Sequence, residues 1–283
     1  MTTTLERSEL LLPGPAEALG ALLDVPVPDM EGGEELPPLW HWLYLLERPA
    51  TADLGPDGHP VRGAIPAPPG PGRRRMWAGG RLRRDAPLRC GETATRRTTV
   101  AKSVDKHGRT GAMTFVTVLH QISQGGRVVL EEEQDIVYRA AAEQGSTRTA
   151  VRDTEREAET AVPAAPGEWE VATPVSLLFR FSALTYNGHR IHYDREYARD
   201  VEGYPGLVVH GPLQALLMTE AVRRRGSALR QGSRFEYRLV APVFDFDGLV
   251  VSAEPASSDG PEAVATSVRS RSGRASASGL FQP

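Results

Sequence analysis

Apolar and polar residues alternate in eight stretches of the chain, four in each half. The stretches are rich in β-branched residues and are separated by glycine, a pattern typical of antiparallel strands. In the first half, the pattern predicts strands at residues 80–88, 92–106, 111–123 and 126–139. In the second half, it predicts strands at residues 233–243, 248–257, 262–272 and 273–282. Two antiparallel meanders are therefore expected.

Helical segments are predicted ahead of each meander. Residues 15–24 and 37–47 are predicted helices, and proline near the start of each costs little because the first N–H groups of a helix have no partner. Residues 212–225 place apolar side chains at helical spacing and arginines in the last turn, where positive charge suits the helix dipole. Residues 48–75 hold too much proline and glycine for regular structure.

The order of elements is the same in the two halves. An Ala-Pro pair ends a strand at Ala86-Pro87 and again at Ala241-Pro242, and each pair precedes a polar turn and another strand. This order predicts an α+β fold made of two copies of one unit, each a sheet wrapped on a helix. The alternative is one larger sheet domain with a chance repeat.

Polar, alanine-rich residues suggest where the two copies meet. Residues 141–168 are typical of a linker. We therefore expect an N-terminal domain at residues 1–140 and a C-terminal domain at residues 169–283.

Composition narrows the class of protein. The 283 residues include 36 acidic and 33 basic side chains, so the chain lacks the basic excess of a general nucleic-acid binder. A single cysteine, Cys90, excludes an intrachain disulfide framework and fits a reducing compartment. The acidic residues among short apolar runs at residues 1–20 do not predict a secretory signal, and no apolar run approaches the ~20 residues that cross a bilayer. A soluble, cytoplasmic protein with no membrane and no nucleic-acid partner is expected.

The stretch FSALTYNGHRIHYD, residues 181–194, gathers polar groups suited to proton transfer. Its His189 and His192 share a face if the backbone there is helical, and histidine is the commonest general acid or base. Asn187 cannot take up a proton at physiological pH, but its amide can hold a water molecule or a carbonyl group. Gly188 favours a turn directly after it.

The stretch YPGLVVHGPLQALLM, residues 204–218, predicts a site for a carbonyl oxygen. An extended apolar run ends at His210-Gly211, and Pro212 begins a helix whose first N–H groups are free. Glycine lets a ligand oxygen approach the backbone closely. Such a site can stabilise the enolate of a thioester. A base and a polarised carbonyl are what the addition of water to an α,β-unsaturated thioester requires.

Together these two stretches resemble the hydratase motif of the MaoC-like, hot-dog-fold acyl-thioester dehydratases. The closest branch contains the mesaconyl-CoA hydratases and the mitochondrial-type 3-hydroxyacyl-thioester dehydratases. In the first half, RRMWAGGRLRRDAPLRCGE and EEEQDIVYR also resemble that branch, so the resemblance begins near residue 38. It implies a double hot-dog in which only the C-terminal repeat carries the hydratase motif.

The resemblance also implies roles for individual residues. His192 matches the catalytic histidine, and Gly211 matches the glycine whose amide polarises the thioester carbonyl. Asn187 stands where the wider family has a catalytic aspartate, although this branch commonly has asparagine there. We therefore expect His192 to activate water and to return a proton to the α-carbon. Asn187 would position water or substrate, with support from His189.

Residues 71–110 contain twelve basic and three acidic side chains. Arg73, Arg74 and Arg75 are candidate ligands for the phosphates of coenzyme A, because guanidinium groups pair well with phosphate. The alternative is a basic strand face balanced by the acidic residues of 131–135 and 153–159.

Three further residues are candidate substrate contacts. They are Arg190, Tyr193 and His210, although for the first two the sequence favours the alternative of solvated loop residues. A metal site formed by His189, His192 and His210 is the alternative, but no standard zinc spacing accompanies them. We expect neither a metal nor another cofactor.

The sequence therefore predicts a hydro-lyase that reversibly hydrates an α,β-unsaturated acyl-CoA, with a mesaconyl-like dicarboxylic substrate suggested by the closest branch. One alternative is a (3R)-hydroxyacyl-thioester dehydratase acting on longer chains carried by coenzyme A or acyl carrier protein. Another is a non-catalytic subunit that binds acyl thioesters. An open sheet edge would favour a homodimer.

Overall fold

The computed structural model describes residues 4–63, 65, 73–108, 111–140, 162–227, 230–256 and 262–283. Most of the predicted linker, residues 141–161, lies outside this part of the chain, as do the acidic residues of 153–159.

The strands of the described residues belong to one antiparallel sheet. They are β1 Leu5–Leu10, β2 Arg73–Arg84, β3 Thr93–Gly108, β4 Gly111–Gln124, β5 Arg127–Ala140, β6 Trp169–Val171, β7 Arg234–Leu239, β8 Leu249–Pro255, β9 Val264–Ser270 and β10 Ala275–Gln282. All eight predicted strands are present. β2 begins earlier than predicted, within the stretch expected to be loop, and β7 ends earlier.

The strand order shows a two-fold relationship between the halves. The order is β1-β3-β4-β5-β2-β7-β10-β9-β8-β6, so each half supplies five neighbouring strands, and β2 pairs with β7 at the centre. Reversing the order exchanges each strand with its counterpart. Ala86-Pro87 follows β2 and Ala241-Pro242 follows β7, so the repeated dipeptides mark equivalent positions.

The helices lie against the sheet and against each other. They are α1 Pro13–Leu23, α2 Val175–Leu184 and α3 Gly211–Arg224, with 3₁₀ turns at Trp40–Leu43, Thr51–Asp53 and Arg190–His192 and a π turn at Tyr197–Val201. α3 packs against β8, β9, β10 and β2, and its residues 213–222 are all buried. It is the helix on which the second half of the sheet is wrapped. The α+β class predicted from the sequence is confirmed.

The prediction of a helix at residues 37–47 is wrong. Only the 3₁₀ turn Trp40–Leu43 is helical. Leu39 and Leu45, on either side of it, have φ angles of 69° and 56°. These left-handed conformations interrupt a right-handed helix. The segment is instead an irregular part of the core.

Buried carboxylates explain the irregular course of this segment. The indole N–H of Trp40 donates to Oε1 of Glu220 on α3 at 2.8 Å, and that of Trp42 donates to Oε1 of Glu132 on β5 at 2.8 Å. His41 Nε2 lies 2.9 Å from the other oxygen of Glu132. Buried acidic groups need such partners. The aromatic side chains therefore point in directions that one helix face could not provide.

The helices of the described residues include none that is both long enough and apolar enough to cross a membrane.

Candidate active site

A cavity of about 420 Å³ is lined by both halves of the chain. The first half contributes polar side chains that include His59, Arg75, Arg96 and His120. The second half contributes the residues predicted from the motif, namely Asn187, His189, His192 and Gly211. The predicted base and the predicted oxyanion donor therefore face one cavity.

His192 is held in a defined tautomer. Its Nδ1 lies 2.7 Å from the carbonyl oxygen of Val208, whose own N–H donates to the carbonyl of Ile191 at 3.0 Å. Because a carbonyl only accepts, Nδ1 carries the proton and Nε2 keeps its lone pair. Burial lowers the pKa of His192 to about 4, against the opposing effect of the Val208 hydrogen bond. The ring is therefore neutral at pH 7 and can act as a base.

His210 lies behind His192. The two rings stack with centroids 3.7 Å apart, and His210 Nε2 lies 2.8 Å from the hydroxyl of Ser182. His210 has no exposed surface, and burial lowers its pKa well below the ordinary value. The structure thus places this candidate substrate contact where it supports the ring of His192.

Gly211 opens α3, so its N–H has no acceptor within the helix. A Cβ atom at this position would lie 2.2 Å from Cδ1 of Leu239, which is also part of the cavity wall. Only glycine fits without moving that side chain. The free N–H and the absent side chain together give a ligand oxygen access to the start of the helix.

Asn187 shapes the turn between α2 and the histidines. Its Oδ1 accepts the backbone N–H of His189 at 3.0 Å. The amide oxygen is thus engaged by the backbone, and the NH₂ group is the part of the side chain left for a ligand. The His189 ring lies 5.4 Å from that of His192, measured between centroids.

His59 is a site residue that sequence analysis missed. It lies in the Pro- and Gly-rich stretch 48–75, yet its ring centroid is 4.0 Å from that of His189. Its Nδ1 lies 2.9 Å from Oδ2 of Asp57. Burial lowers the pKa of His59. Burial also opposes ionisation of Asp57, but the hydrogen bonds and the charge of His59, with the charge of His189, together outweigh it and lower the pKa of that carboxyl. The sequence signal is Asp-Gly-His at 57–59, a carboxylate two residues before a histidine.

Arg190 and Tyr193, the other candidate substrate contacts, are not part of the cavity wall. Arg190 Nη2 lies 2.7 Å from a carboxylate oxygen of Asp194. The Tyr193 hydroxyl donates to the carbonyl oxygen of Gly188 at 2.8 Å. Both side chains hold the loop that carries the histidines.

The three candidate phosphate ligands are separated by the structure. Arg75 lines the cavity. Arg74 Nε lies 2.7 Å from Oε2 of Glu202, and the side chain of Arg73 lies outside the described part of the chain.

The alternative of a balanced strand face is visible further along β2. Arg81 lies 2.6 Å from Glu133 and 2.8 Å from Asp135, and Arg83 lies 3.6 Å from Glu131. These ion pairs use the acidic residues of β5, so the charges of Arg81 and Arg83 are neutralised within the fold.

Within the described part of the chain, the side chains that could hold a metal ion are Asp57, His59 and His189. Their ligand atoms lie within 4.8 Å of one another. This set differs from the His189, His192 and His210 trio considered from the sequence. Since Asp57 already accepts a hydrogen bond from His59, the same geometry also suits an orienting carboxylate and a proton-transferring imidazole.

Known proteins similar to this chain are acyl-thioester hydratases and dehydratases. The family model for hydroxyacyl-thioester dehydratase type 2 matches residues 39–245. A mesaconyl-C(4)-CoA hydratase of Chloroflexus aurantiacus is 46% identical over 240 residues, which are 85% of this chain and 82% of that protein.

Solved structures support the fold. A MaoC-like dehydratase from Phytophthora capsici has a TM-score of 0.68 at 17% identity and covers 99% of this chain and 94% of its own. A Mycobacterium tuberculosis protein described as a double hotdog fold has a TM-score of 0.57 at 17% identity, with 99% and 94% covered. The predicted double hot-dog is confirmed, and the chain belongs to the hydroxyacyl-thioester dehydratase type 2 family.

Proposed function

We propose that the chain reversibly adds water to the double bond of an α,β-unsaturated acyl-CoA whose acyl group carries a second carboxylate. Membership of its family makes the chain a hydro-lyase of the hydratase and dehydratase type. The observation that carries the proposal is the shared cavity of His192 and Gly211. This reaction needs a neutral imidazole whose Nε2 keeps its lone pair and a helix N–H that has no acceptor among the described residues.

The proposed reaction begins at His192. Its Nε2 removes a proton from water as the water oxygen bonds to the β-carbon. The electrons of the double bond move towards the thioester carbonyl, where the N–H of Gly211 stabilises the negative oxygen. Proton return to the α-carbon then completes the addition. A positioned general base typically contributes a factor of about 10²–10⁴ to the rate.

Two guanidinium groups in the cavity support a dicarboxylic substrate. Arg75 and Arg96 both line it, and Arg96 is only loosely paired, with 3.9 Å to Glu47. The positive charge of Arg75 acts on His59 and His189, so it lies near the proposed reaction centre. A guanidinium group there matches a carboxylate next to the reacting carbons.

The name of the Chloroflexus relative gives the substrate to test first. In a mesaconyl-C(4) thioester, the β-carbon carries both a methyl group and the second carboxylate. A carboxylate in that position would lie close to the histidines, where the positive charge of Arg75 acts on His189. For the coenzyme A phosphates, Arg74 is the described candidate outside the cavity wall, and phosphate would compete there with Glu202.

A screen of purified protein tests the function. Mesaconyl-C(4)-CoA, crotonyl-CoA and a long-chain 2-enoyl-CoA are incubated separately, and hydrated product is detected by mass. The highest kcat/KM is expected for mesaconyl-C(4)-CoA. A preference for the long chain would instead establish the (3R)-hydroxyacyl-thioester dehydratase. Binding of all three without hydration would establish an acyl-thioester binding subunit.

We also propose that two chains associate. β1 and β6 are the outer strands of the sheet among the described residues, so each leaves one backbone edge open for pairing. Sedimentation equilibrium is expected to give twice the chain mass of 30.7 kDa. A monomer at micromolar concentration would contradict this.

A further inference from the structure

We propose that His59, oriented by Asp57, is the second acid–base residue of this site and exchanges the proton at the α-carbon of the substrate. The inference rests on the proposed hydratase function, because it assigns a residue to the second half of that reaction. Hydration moves two protons, one from water and one to the α-carbon. His192 can handle the first, and the amide of Asn187 can handle neither.

His59 lies in the right place for this role. It lines the same cavity as His192 and Gly211, and its ring contacts His189 at 4.0 Å between centroids. The His189 ring in turn lies 5.4 Å from that of His192. The two proposed acid–base residues are therefore separated by one imidazole ring and face the same ligand space.

The tautomer of His59 also suits proton exchange. Nδ1 of His59 lies 2.9 Å from Oδ2 of Asp57. Because a carboxylate only accepts hydrogen bonds, Nδ1 carries the proton and Nε2 is left as the atom that exchanges protons with the substrate. Among the described residues, Nε2 has no hydrogen-bond partner, and the side chain keeps 19% of its surface exposed. A carboxylate on the far nitrogen stabilises the imidazolium when Nε2 takes up a proton. Asp57 is thus a positioning residue.

The loop that carries the pair is fixed against the hydratase motif. The backbone N–H of Arg190 donates to the carbonyl of Asp57 at 2.9 Å. Gly58 has a φ angle of 85°, and a Cβ atom there would lie 1.9 Å from the carbonyl oxygen of Gly188. The two loops approach so closely that only glycine is tolerated at Gly58. The position of His59 is therefore set by contact with the turn that holds Asn187 and His189.

The proposed steps balance in protons and electrons. In hydration, His192 Nε2 takes a proton from water, the C–O bond forms at the β-carbon, and the π electrons form an enolate at Gly211. The proton on His192 passes to Nε2 of His59 through His189 or solvent. The enolate then reforms the carbonyl as the α-carbon takes that proton from Nε2 of His59. Both imidazoles end neutral, as they began.

The charged and titratable groups around His59 come from several elements. Asp57 lies on its own loop, His189 and His192 on the motif, Arg75 on β2 and Glu202 after the π turn. Asp57 and Glu202 favour the imidazolium, whereas Arg75 and burial oppose it. Removing Asp57 should therefore change the pH dependence of kcat and also lower kcat itself.

His59→Ala tests the assignment, with mesaconyl-C(4)-CoA as probe. We expect kcat to fall by about 100-fold, the low end of general acid–base contributions, with KM changed by less than about threefold. Imidazole added to the buffer should restore part of the rate, because it can enter the space of the missing ring. In the dehydration direction, deuterium at the α-carbon of the hydroxyacyl-CoA should slow the variant more than the wild type.

Two further variants separate catalysis from loop structure. Asp57→Asn keeps a hydrogen-bond acceptor and should lower kcat less than His59→Ala while moving the acid limb of the pH profile. Asp53→Asn, which removes an exposed ion pair to Arg62 on the same loop, should leave kcat unchanged. A His59→Ala protein with near-wild-type kcat, or one that is slow but neither rescued by imidazole nor sensitive to α-deuterium, would overturn the proposal.

The failure of this inference is distinguishable from that of the function. If wild-type protein hydrates no enoyl-CoA, the proposed function fails. If wild-type protein is active and the His59 variants match it, only the present inference fails. Dialysis against a chelator should leave the wild-type rate unchanged. A loss of activity that zinc restores would make Asp57, His59 and His189 metal ligands and would also overturn the assignment.

Discussion

Nδ1 of His192 lies 2.7 Å from the carbonyl oxygen of Val208, which fixes the ring proton on that nitrogen and leaves Nε2 as an acceptor. Since this is the proposed base for water, His192→Ala should lower kcat by at least about 100-fold. The loss should appear in kcat more than in KM, because the imidazole acts in the proton-transfer step. Steady-state hydration of mesaconyl-C(4)-CoA measures both constants, and circular dichroism checks the fold. Wild-type turnover in a folded variant would remove His192 from the mechanism.

The lowered pKa values of buried histidines should make the free energy of unfolding depend on pH. Burial lowers the pKa of His192 and of His120 to about 4, below the value of about 6.5 of an unfolded histidine. The unfolded chain therefore binds more protons than the folded chain between these values, so the free energy of unfolding should fall as the pH drops from about 6.5 to about 4. Above pH 7 these two groups should have no effect.

Urea denaturation at a series of pH values measures this dependence. His120→Gln removes one of the shifted groups, and its curve of unfolding free energy against pH should be flatter than that of wild type between pH 6.5 and 4. Glu132 does not confuse the result, because its pKa is lowered to about 2 and its contribution is lost only as the pH falls below about 4.5. Parallel curves for the two proteins would contradict the prediction.

The main features that the sequence predicts are those with local signals. The start of α3 follows from His210-Gly211-Pro212, because a glycine and a proline at the end of an apolar run mark a helix N-terminus. The shared cavity of His192 and Gly211 is likewise consistent with the spacing of the motif. Here the determining residues lie close together in the sequence, between Asn187 and Pro212.

Long-range contacts account for the features that were missed. Residues 37–47 do not form the predicted helix because Trp40 and Trp42 donate hydrogen bonds to carboxylates 180 and 90 residues away. The loop that carries His59 has no regular pattern, and only the fold brings this histidine against His189. Sequence spacing carries no information on such pairings, since they depend on how elements distant in the sequence pack together.

Substitution of Gly211 is expected to affect both packing and catalysis, and the two effects can be measured separately. Gly211→Ala would place a Cβ atom 2.2 Å from Cδ1 of Leu239, and overpacking of this kind typically costs about 1–3 kcal/mol of unfolding free energy. It should also lower kcat/KM, because the added methyl group stands at the proposed oxyanion site. Urea denaturation and hydration kinetics measure the two effects.

A double variant is the control for Gly211. Leu239→Ala removes the atoms that would clash, so Gly211→Ala in that background should cost less stability than it does in wild type. If the double variant regains stability while kcat/KM stays low, the methyl group blocks the ligand directly. Recovery of both properties would mean that the displaced Leu239 caused the loss.

Arg75 should determine preference for the second carboxylate. Arg75→Gln keeps a polar but shorter side chain and removes the positive charge near His59 and His189. We expect kcat/KM for mesaconyl-C(4)-CoA to fall by at least about tenfold, while that for crotonyl-CoA, which lacks the second carboxylate, changes little. The ratio of the two constants is the decisive measurement, because general damage to the cavity would lower both.

Arg75→Lys, which keeps the charge but not the bidentate geometry, should lie between wild type and Arg75→Gln. An unchanged ratio in Arg75→Gln would transfer the role to Arg96, the other guanidinium of the cavity wall, and the same pair of substrates then tests Arg96→Gln.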